Sequence, residues 1–326
     1  METFAQAQSY VYHMEPDLFT PGNILFSDGS SLKTTDGSTT KSIVGLATSA
    51  GYVYSKGTSA RFSTITGFKQ ISRTQVVVCD LNNYILRLVD RVDLSTEILA
   101  GSSRSYGLDD GYAAKFKTPY GVVQDPRNPD KLFISDYGNN RIRSFDMKTK
   151  FTSTLPFSTV GYTYPNSMSF GPSNDGLIIS TNHYVMMHSL SQSTQQKLFG
   201  SPTSGSDTVI SPINDAKFNT PRDVIALSDS LFIMADRSNH VIRVVDHESR
   251  LVTRLCSGEA GTRDGPSEVC ALSSPTALML QGDYLYIGDY KTIRRVKCES
   301  DSPYKQLSPI SAQLQYQSIS SLQSVS

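Results

Sequence analysis

The chain repeats itself at a spacing that leaves few architectures open. The segments Cys79 to Asp90 (CDLNNYILRLVD), Ser135 to Asp146 (SDYGNNRIRSFD) and Ala235 to Asp246 (ADRSNHVIRVVD) share one template. An aspartate follows an apolar run, an Asn-containing turn comes next, an arginine lies seven residues on and a second aspartate ten on. Shorter copies start at Asp28 (DGSSLKTTD) and Asp289 (DYKTIRRV), and a degenerate one surrounds Thr181 (TNHYVMMHSL). The starts at 28, 80, 136, 181, 236 and 289 are separated by 52, 56, 45, 55 and 53 residues. A unit of this size cannot bury its apolar face alone, so it must stack on copies of itself.

A second landmark keeps step with the first. Ala60/Phe62, Ala114/Phe116/Pro119, Ala216/Phe218/Pro221 and Cys270/Leu272/Pro275 lie about fifteen residues upstream of their aspartates. Between landmarks run short stretches such as KLFISD, SLFIMAD and YLYIGD, rich in Val, Ile, Phe and Tyr and broken by Gly, Asn, Asp and Pro. These are strands joined by turns. Four per unit make a propeller blade, so the expectation is an all-β, six-bladed propeller of four-stranded antiparallel blades over residues 8–298. The last unit supplies three strands, ending at Thr292 to Cys298. Ser9 to Met14 (SYVYHM) has no blade of its own and is expected to pair beside it, covering an exposed edge. Residues 299–326, rich in Ser and Gln, read as a tail or linker.

The repeated residues Asp28, Asp80, Asp136, Asp236 and Asp289 are expected to be scaffold. Such an aspartate can accept backbone N–H bonds across the following turn, and asparagine tolerates the left-handed backbone the turn needs. The landmark Phe or Leu fills the space between blades. The arginines at 87, 143, 243 and 294 suit inter-strand or inter-blade pairing better than phosphate contact, because each occupies the same place in its blade.

The A-x-F-x-x-P, strand, D-x-x-N-x-x-I-R order with a downstream T-x-x-x-G resembles the NHL repeat family. It is strong in the units of Asp80, Asp136, Asp236 and Asp289, partial at Asp28 and poor around Thr181, spanning residues 16–298. The resemblance implies a six-bladed propeller that serves as a platform for partners, of the variety found in extracellular or multidomain proteins. RNA-binding NHL domains of tripartite-motif proteins typically carry a basic top surface. Here Lys plus Arg and Asp plus Glu both total 30, so nucleic acid is not an expected partner. No apolar run is long enough for a membrane span, and Met1 to Tyr12 lacks the basic start and apolar stretch of a leader.

Some propellers are enzymes, such as amidating lyases with a histidine-bound metal or calcium-dependent lactonase-like hydrolases. Of the histidines at 13, 183, 188, 240 and 247, only His183 and His240 occupy equivalent turns, and two make an incomplete zinc site. Asp109/Asp110 and Asp264 read as solvated turns beside Gly111 and Gly265, or as a weak cation site. No nucleophile elbow, Walker loop or His-Glu-x-x-His motif occurs. No metal, cofactor or catalytic residue is therefore assigned.

Of the four cysteines, Cys256 and Cys270 are close enough to suggest a disulfide, which points to an oxidising compartment and favours an extracellular or cell-surface location. None of the asparagines begins an Asn-X-Ser/Thr acceptor. Cys79 should be a buried small apolar residue, and Cys298 has no assigned pairing. The expected function is a non-enzymatic module binding a protein or glycan on the propeller's top face, where second-to-third-strand loops and inter-blade connections emerge together. Tyr120, Arg222, Thr276 and Asn166 should start inner strands there, surrounded by the turn residues Tyr84, Tyr137, Arg237, His240 and Tyr290. These positions vary between blades while their scaffold neighbours repeat, and Tyr and Arg dominate binding hot spots.

Overall fold

A computed structural model describes residues 1–156, 164–205 and 210–298. Alternating runs such as QVVVCD, KLFISD and YLYIGD pair as antiparallel strands in six sheets, arranged as a six-bladed propeller. Blade 1 holds Met14–Pro16, Ile24–Asp28, Ser31–Thr35 and Thr40–Gly45, from the channel outward. Blade 2 holds Ile65–Gln70, Gln75–Asp80, Ile85–Asp90 and Thr96–Gly101, and blade 3 holds Pro119–Asp125, Asn128–Asp136, Arg141–Asp146 and Thr152–Thr154. Blade 4 holds Met168–Phe170, Gly176–Ser180, Val185–Ser189 and Thr194–Phe199. Blade 5 holds Pro221–Ala226, Leu231–Asp236, Val241–Asp246 and Leu251–Leu255, with a short fifth strand, Ile210–Pro212, outside them. Blade 6 takes Pro275–Gln281, Tyr284–Asp289 and Thr292–Lys297 from the end of the chain and its outer strand, Glu2–Gln6, from the beginning. The tail reading for 299–326 falls outside the described residues.

The closing strand differs from the expected one. Glu2 pairs with Arg295 and Gln6 with Thr292, whereas Ser9 to Met14 runs across the top face and enters blade 1. The offset of the other units explains this. Their inner strands start at Ile65, Pro119, Pro221 and Pro275 ahead of Asp80, Asp136, Asp236 and Asp289, and a like offset from Asp28 falls on Met14. SYVYHM alternates like a strand, but its place in the ring is that of a connection.

The core is a ring of six seams. Phe62 packs with Leu25, Leu32 and Val44 of blade 1 and Phe68 and Val76 of blade 2. Phe116, Phe218 and Leu272 hold the corresponding places between blades 2 and 3, 4 and 5, and 5 and 6. All four are fully buried, as expected for inter-blade fillers, and truncating such a phenylalanine typically costs about 3–5 kcal/mol.

Five blades carry a buried clasp between an aspartate and a cation. Asp28 faces Lys33 at 2.7 Å, Asp80 faces Arg87 at 3.4 Å, Asp136 faces Arg143 at 2.9 Å, Asp236 faces Arg243 at 3.0 Å and Asp289 faces Arg294 at 3.5 Å. Blades 1 and 6 replace the 3-10 turn with a tighter one, which moves their cation two positions nearer. The aspartates accept N–H bonds, but from the incoming connection and not across the following turn: Ser63 to Asp80 at 2.7 Å, Lys117 to Asp136 at 2.7 Å, Asn219 to Asp236 at 2.8 Å. The asparagine's role differs too. The side-chain amides of Asn83, Asn139 and Asn239 each bond the aspartate at 2.8 Å, and the left-handed residue is the next one, Tyr84, Asn140 or His240. The arginines tie down the connections. Arg87 donates to Arg61 O and Val53 O, Arg143 to Lys115 O and Asp109 O, and Arg294 to Ala271 O and Arg263 O. Asp110 and Asp264 sit in exposed turns beside positive-φ Gly111 and Gly265, as expected, and each also joins the arrangement as an ion-pair partner, 2.7 Å from Arg143 and 2.6 Å from Arg294. Burial pushes Asp80 and Asp136 up to about 6 despite these donors.

Cys256 and Cys270 form a disulfide, with Cα atoms 4.8 Å apart, across the connection between blades 5 and 6. Cys79 and Cys298 are buried free thiols.

Candidate functional site at the channel mouth

The inner strands converge on a channel that narrows to a waist of about 10 Å³ lined by Tyr12, Thr66, Gly67, Tyr120, Gly121, Ser167, Arg222 and Thr276. Glycine is needed here for close approach: a Cβ on Gly67 would stand 2.6 Å from the Tyr120 carbonyl oxygen. Consecutive inner strands are laced by side chains. Thr66 Oγ1 donates to Tyr120 O at 2.8 Å, Asn166 Nδ2 to Pro221 O at 3.1 Å, and Thr276 Oγ1 to Val11 O. Asn166 and Thr276 are therefore buried ties to neighbouring backbone, and Asn166 also accepts from Arg222 Nη1 at 2.5 Å, fixing that guanidinium.

Above the waist opens a recess of about 240 Å³ lined by Tyr12, Thr66, Leu81, Thr118, Tyr120, Tyr137, Arg222 and Arg237. Four of the residues singled out in the sequence meet here: Tyr120, Tyr137, Arg222 and Arg237. Arg222 lies over the Tyr120 ring at 5.1 Å and Arg237 at 6.0 Å from the Tyr10 ring centre, with its Nε donating to Ser274 Oγ. Ring contacts run outward from the recess, Tyr120 to Tyr137 at 5.8 Å and Tyr137 to Tyr164 at 5.0 Å on one side, Tyr12 to Tyr10 at 5.6 Å and Tyr10 to Tyr290 at 4.7 Å on the other. Tyr290 thus joins the track from its edge. Tyr84 packs on Tyr106 and does not line the recess, and His240 Nδ1 is held 2.7 Å from Ser273 O. Burial, then the nearby Tyr120, hold the Tyr12 hydroxyl above its ordinary pKa, so it keeps its proton.

Tyr10 and Tyr12 were missed because they lie in the segment read as the closing strand. The offset from Asp28 is the signal that would have placed them on the face. Below the waist a second chamber of about 250 Å³ holds His13, Glu15, Lys69 and Asp223, also missed. Its charges answer one another: Glu15 accepts from Lys69 at 2.6 Å and from Gln70, and although burial opposes it, Lys69 and His13 hold Glu15 down to about 2. Asp223, raised by burial, accepts from Ser167 Oγ and the Leu278 N–H. A larger groove, about 410 Å³, lies between blades 4 and 5, walled by Ile178, Met187, Leu198 and Phe232. It lies in the seam between two neighbouring blades, edged by Gln196, Lys197, Ser228, Asp229 and His247, whereas the channel mouth gathers side chains from across the ring, so the candidate site is placed at the mouth. Among the described residues no three His, Cys, Asp or Glu side chains form a metal-competent group.

No protein-family model matches the chain. Among curated proteins it is similar to Protein SUPPRESSOR OF QUENCHING 1, chloroplastic, of Arabidopsis thaliana, 24% identical over 238 residues. That match takes in 65% of this chain and 22% of that protein, so the chain spans about a fifth of the relative's length. Among solved structures it superposes on an auxiliary nutrient binding protein from Bacteroides thetaiotaomicron with a TM-score of 0.68 at 15% identity, covering 90% of this chain and 76% of that one. A second auxiliary nutrient binding protein, from Bacteroides ovatus, gives a TM-score of 0.65 at 15% identity, covering 91% and 70%. At these identities the likeness is one of fold.

Proposed function

We propose that this chain is an NHL-type propeller acting as a non-enzymatic binding module, with a protein or glycan held on its top face. The observation that carries the reading is the six tyrosines and two arginines across the channel mouth, two runs of ring contacts that meet at the recess, raised on a scaffold whose own charges are clasped and buried. Tyrosine offers rigid amphipathic area at low entropic cost, and arginine adds directional donors. The repeated Asp–Asn–Arg clasp supports the NHL reading, the disulfide supports an oxidising, extracellular setting, and two fold relatives are nutrient binding proteins.

Printed arrays of glycans and of peptides, probed with the full chain, test this. Replacing Tyr120, Tyr137 and Arg222 together by alanine should abolish the array signals while leaving a folded propeller by circular dichroism. Signals retained by the triple variant would place binding elsewhere.

A further inference from the structure

We infer that the recess at the channel mouth binds an acidic saccharide, with its carboxylate or sulfate seated between Arg222 and Arg237 and against the hydroxyl of Tyr120. This rests on the top-face reading and narrows it to a ligand class.

Three observations lead there. First, the charges of the two arginines are unanswered. Arg87, Arg91, Arg143, Arg243 and Arg294 each face a carboxylate. Among the described residues Arg222 and Arg237 form no ion pair, and no Asp or Glu lines the recess. Half-buried guanidiniums held at one concavity raise its potential and favour an anion there. Both are preorganised, Arg222 by Asn166 and Tyr120, Arg237 by Ser274 and Tyr10, so little side-chain freedom remains to be lost on binding.

Second, Tyr120 is 7% exposed, lines both waist and recess, and its hydroxyl, shielded from solvent, has no hydrogen-bond partner. A buried hydroxyl left unbonded is costly, a penalty that a ligand oxygen would remove once a slight turn of the ring brings the hydroxyl to the recess. Tyr12, protonated and beside it, offers a second hydroxyl.

Third, the rings extend from this point in two directions, with Tyr10 and Tyr12 at 23°, Tyr120 and Tyr137 at 31° and Tyr137 and Tyr164 at 38°, and Tyr290 meeting Tyr10 edge-on at 77°. Successive ring faces with hydroxyls at their edges suit a chain of pyranose rings, each with an apolar C–H face and a polar rim. The waist, about 10 Å³, stops the ligand from threading the channel, so the saccharide lies across the mouth with one acidic unit inserted.

The test is calorimetric titration of the full chain with tetragalacturonate, a sulfated tetrasaccharide, neutral maltotetraose and a hexaglutamate peptide. At least one acidic saccharide should bind about tenfold tighter than maltotetraose, and the preference should shrink as salt rises from ~50 to ~300 mM. Arg237→Gln should lose about tenfold and Tyr120→Phe a few-fold of that affinity, with melting temperatures near that of the parent protein. Arg237 lies on a turn, so its variant keeps the test open should changes at Tyr120 disturb the waist. Equal binding of acidic and neutral saccharides, both abolished by Tyr137→Ala, would overturn the acidic class and leave the top-face reading standing. So would binding of hexaglutamate alone. Acidic saccharide binding indifferent to Arg237→Gln, Tyr120→Phe and Tyr137→Ala would overturn both.

Discussion

Blade 4 and its five companions have the same strand order but not the same fastening. Elsewhere a buried carboxylate draws in the preceding connection and a cation from the third strand, and in blades 2, 3 and 5 the turn asparagine as well. In blade 4, Thr181 stands in the aspartate's place and Met186, opposite Ile179, in the cation's, so neither half of the clasp is present. Thr181 Oγ1 donates to Tyr184 O at 2.8 Å, within its own turn. The seam packing persists, with Phe199, Phe218 and Phe232 in contact, so apolar burial builds the blade while the clasp is an addition that anchors connections.

The largest effect should come from breaking a clasp. Asp80→Ala leaves Arg87, fully buried, without a carboxylate among the described residues and frees the Ser63 N–H and the Asn83 amide. A loss of about 3–5 kcal/mol in denaturant unfolding is expected. A loss below about 1 kcal/mol would mean that the loop carbonyls and the rings of Tyr54 and Phe62 suffice to hold the cation. The matching change in blade 4, Thr181→Ala, removes one hydrogen bond and should cost about 1 kcal/mol; a loss as large as that of Asp80→Ala would erase the distinction between the blades.

The smallest effect is a difference in sign with pH. Burial lowers His188 from 6.5 to about 4, so as pH falls below 6.5 the unfolded chain takes up its proton first and blade 4 loses stability. Asp80 and Asp136 are raised from 3.8 to about 6, so between pH 6 and 4 the folded state takes up protons first and their blades gain. Amide hydrogen exchange, corrected for intrinsic rates, should show protection of Val185–Ser189 falling over that interval while that of Ile85–Asp90 rises. His188→Gln should flatten the first trend; parallel trends in both strands would refute the opposition.

The scaffold was legible because its chemistry repeats: clasp aspartates, seam phenylalanines and the order of strands recur, and the bonded pair Cys256–Cys270 is the one that spacing suggests. Tyr120, Tyr137, Arg222 and Arg237 could be placed on the face because they vary at fixed points of the repeat. Asn166 and Thr276 occupy such points too, yet turn to neighbouring backbone, since such a position says which end of the channel a residue is near and not which way it turns. Tyr10 and Tyr12 were hidden by alternation that mimics a strand. The charges of the lower chamber, from His13 to Asp223, are brought together by ring closure alone, which no local pattern encodes.

The pairing of Glu2–Gln6 with Thr292–Lys297 carries a consequence for how the molecule comes into being. During synthesis the first strand leaves the ribosome almost 300 residues ahead of its mate, so it must wait unpaired while blades 1 to 5 assemble. Until blade 6 closes, two edges are open, and the final contact is among the most non-local the chain makes. Blade 1 can form early from Met14 to Gly45, but the tyrosine track cannot: Tyr10 and Tyr12 hang between the waiting strand and the first blade. The tyrosine-lined face is therefore completed by the last step of folding, and a nascent or truncated chain would display a propeller scaffold before it displayed that face.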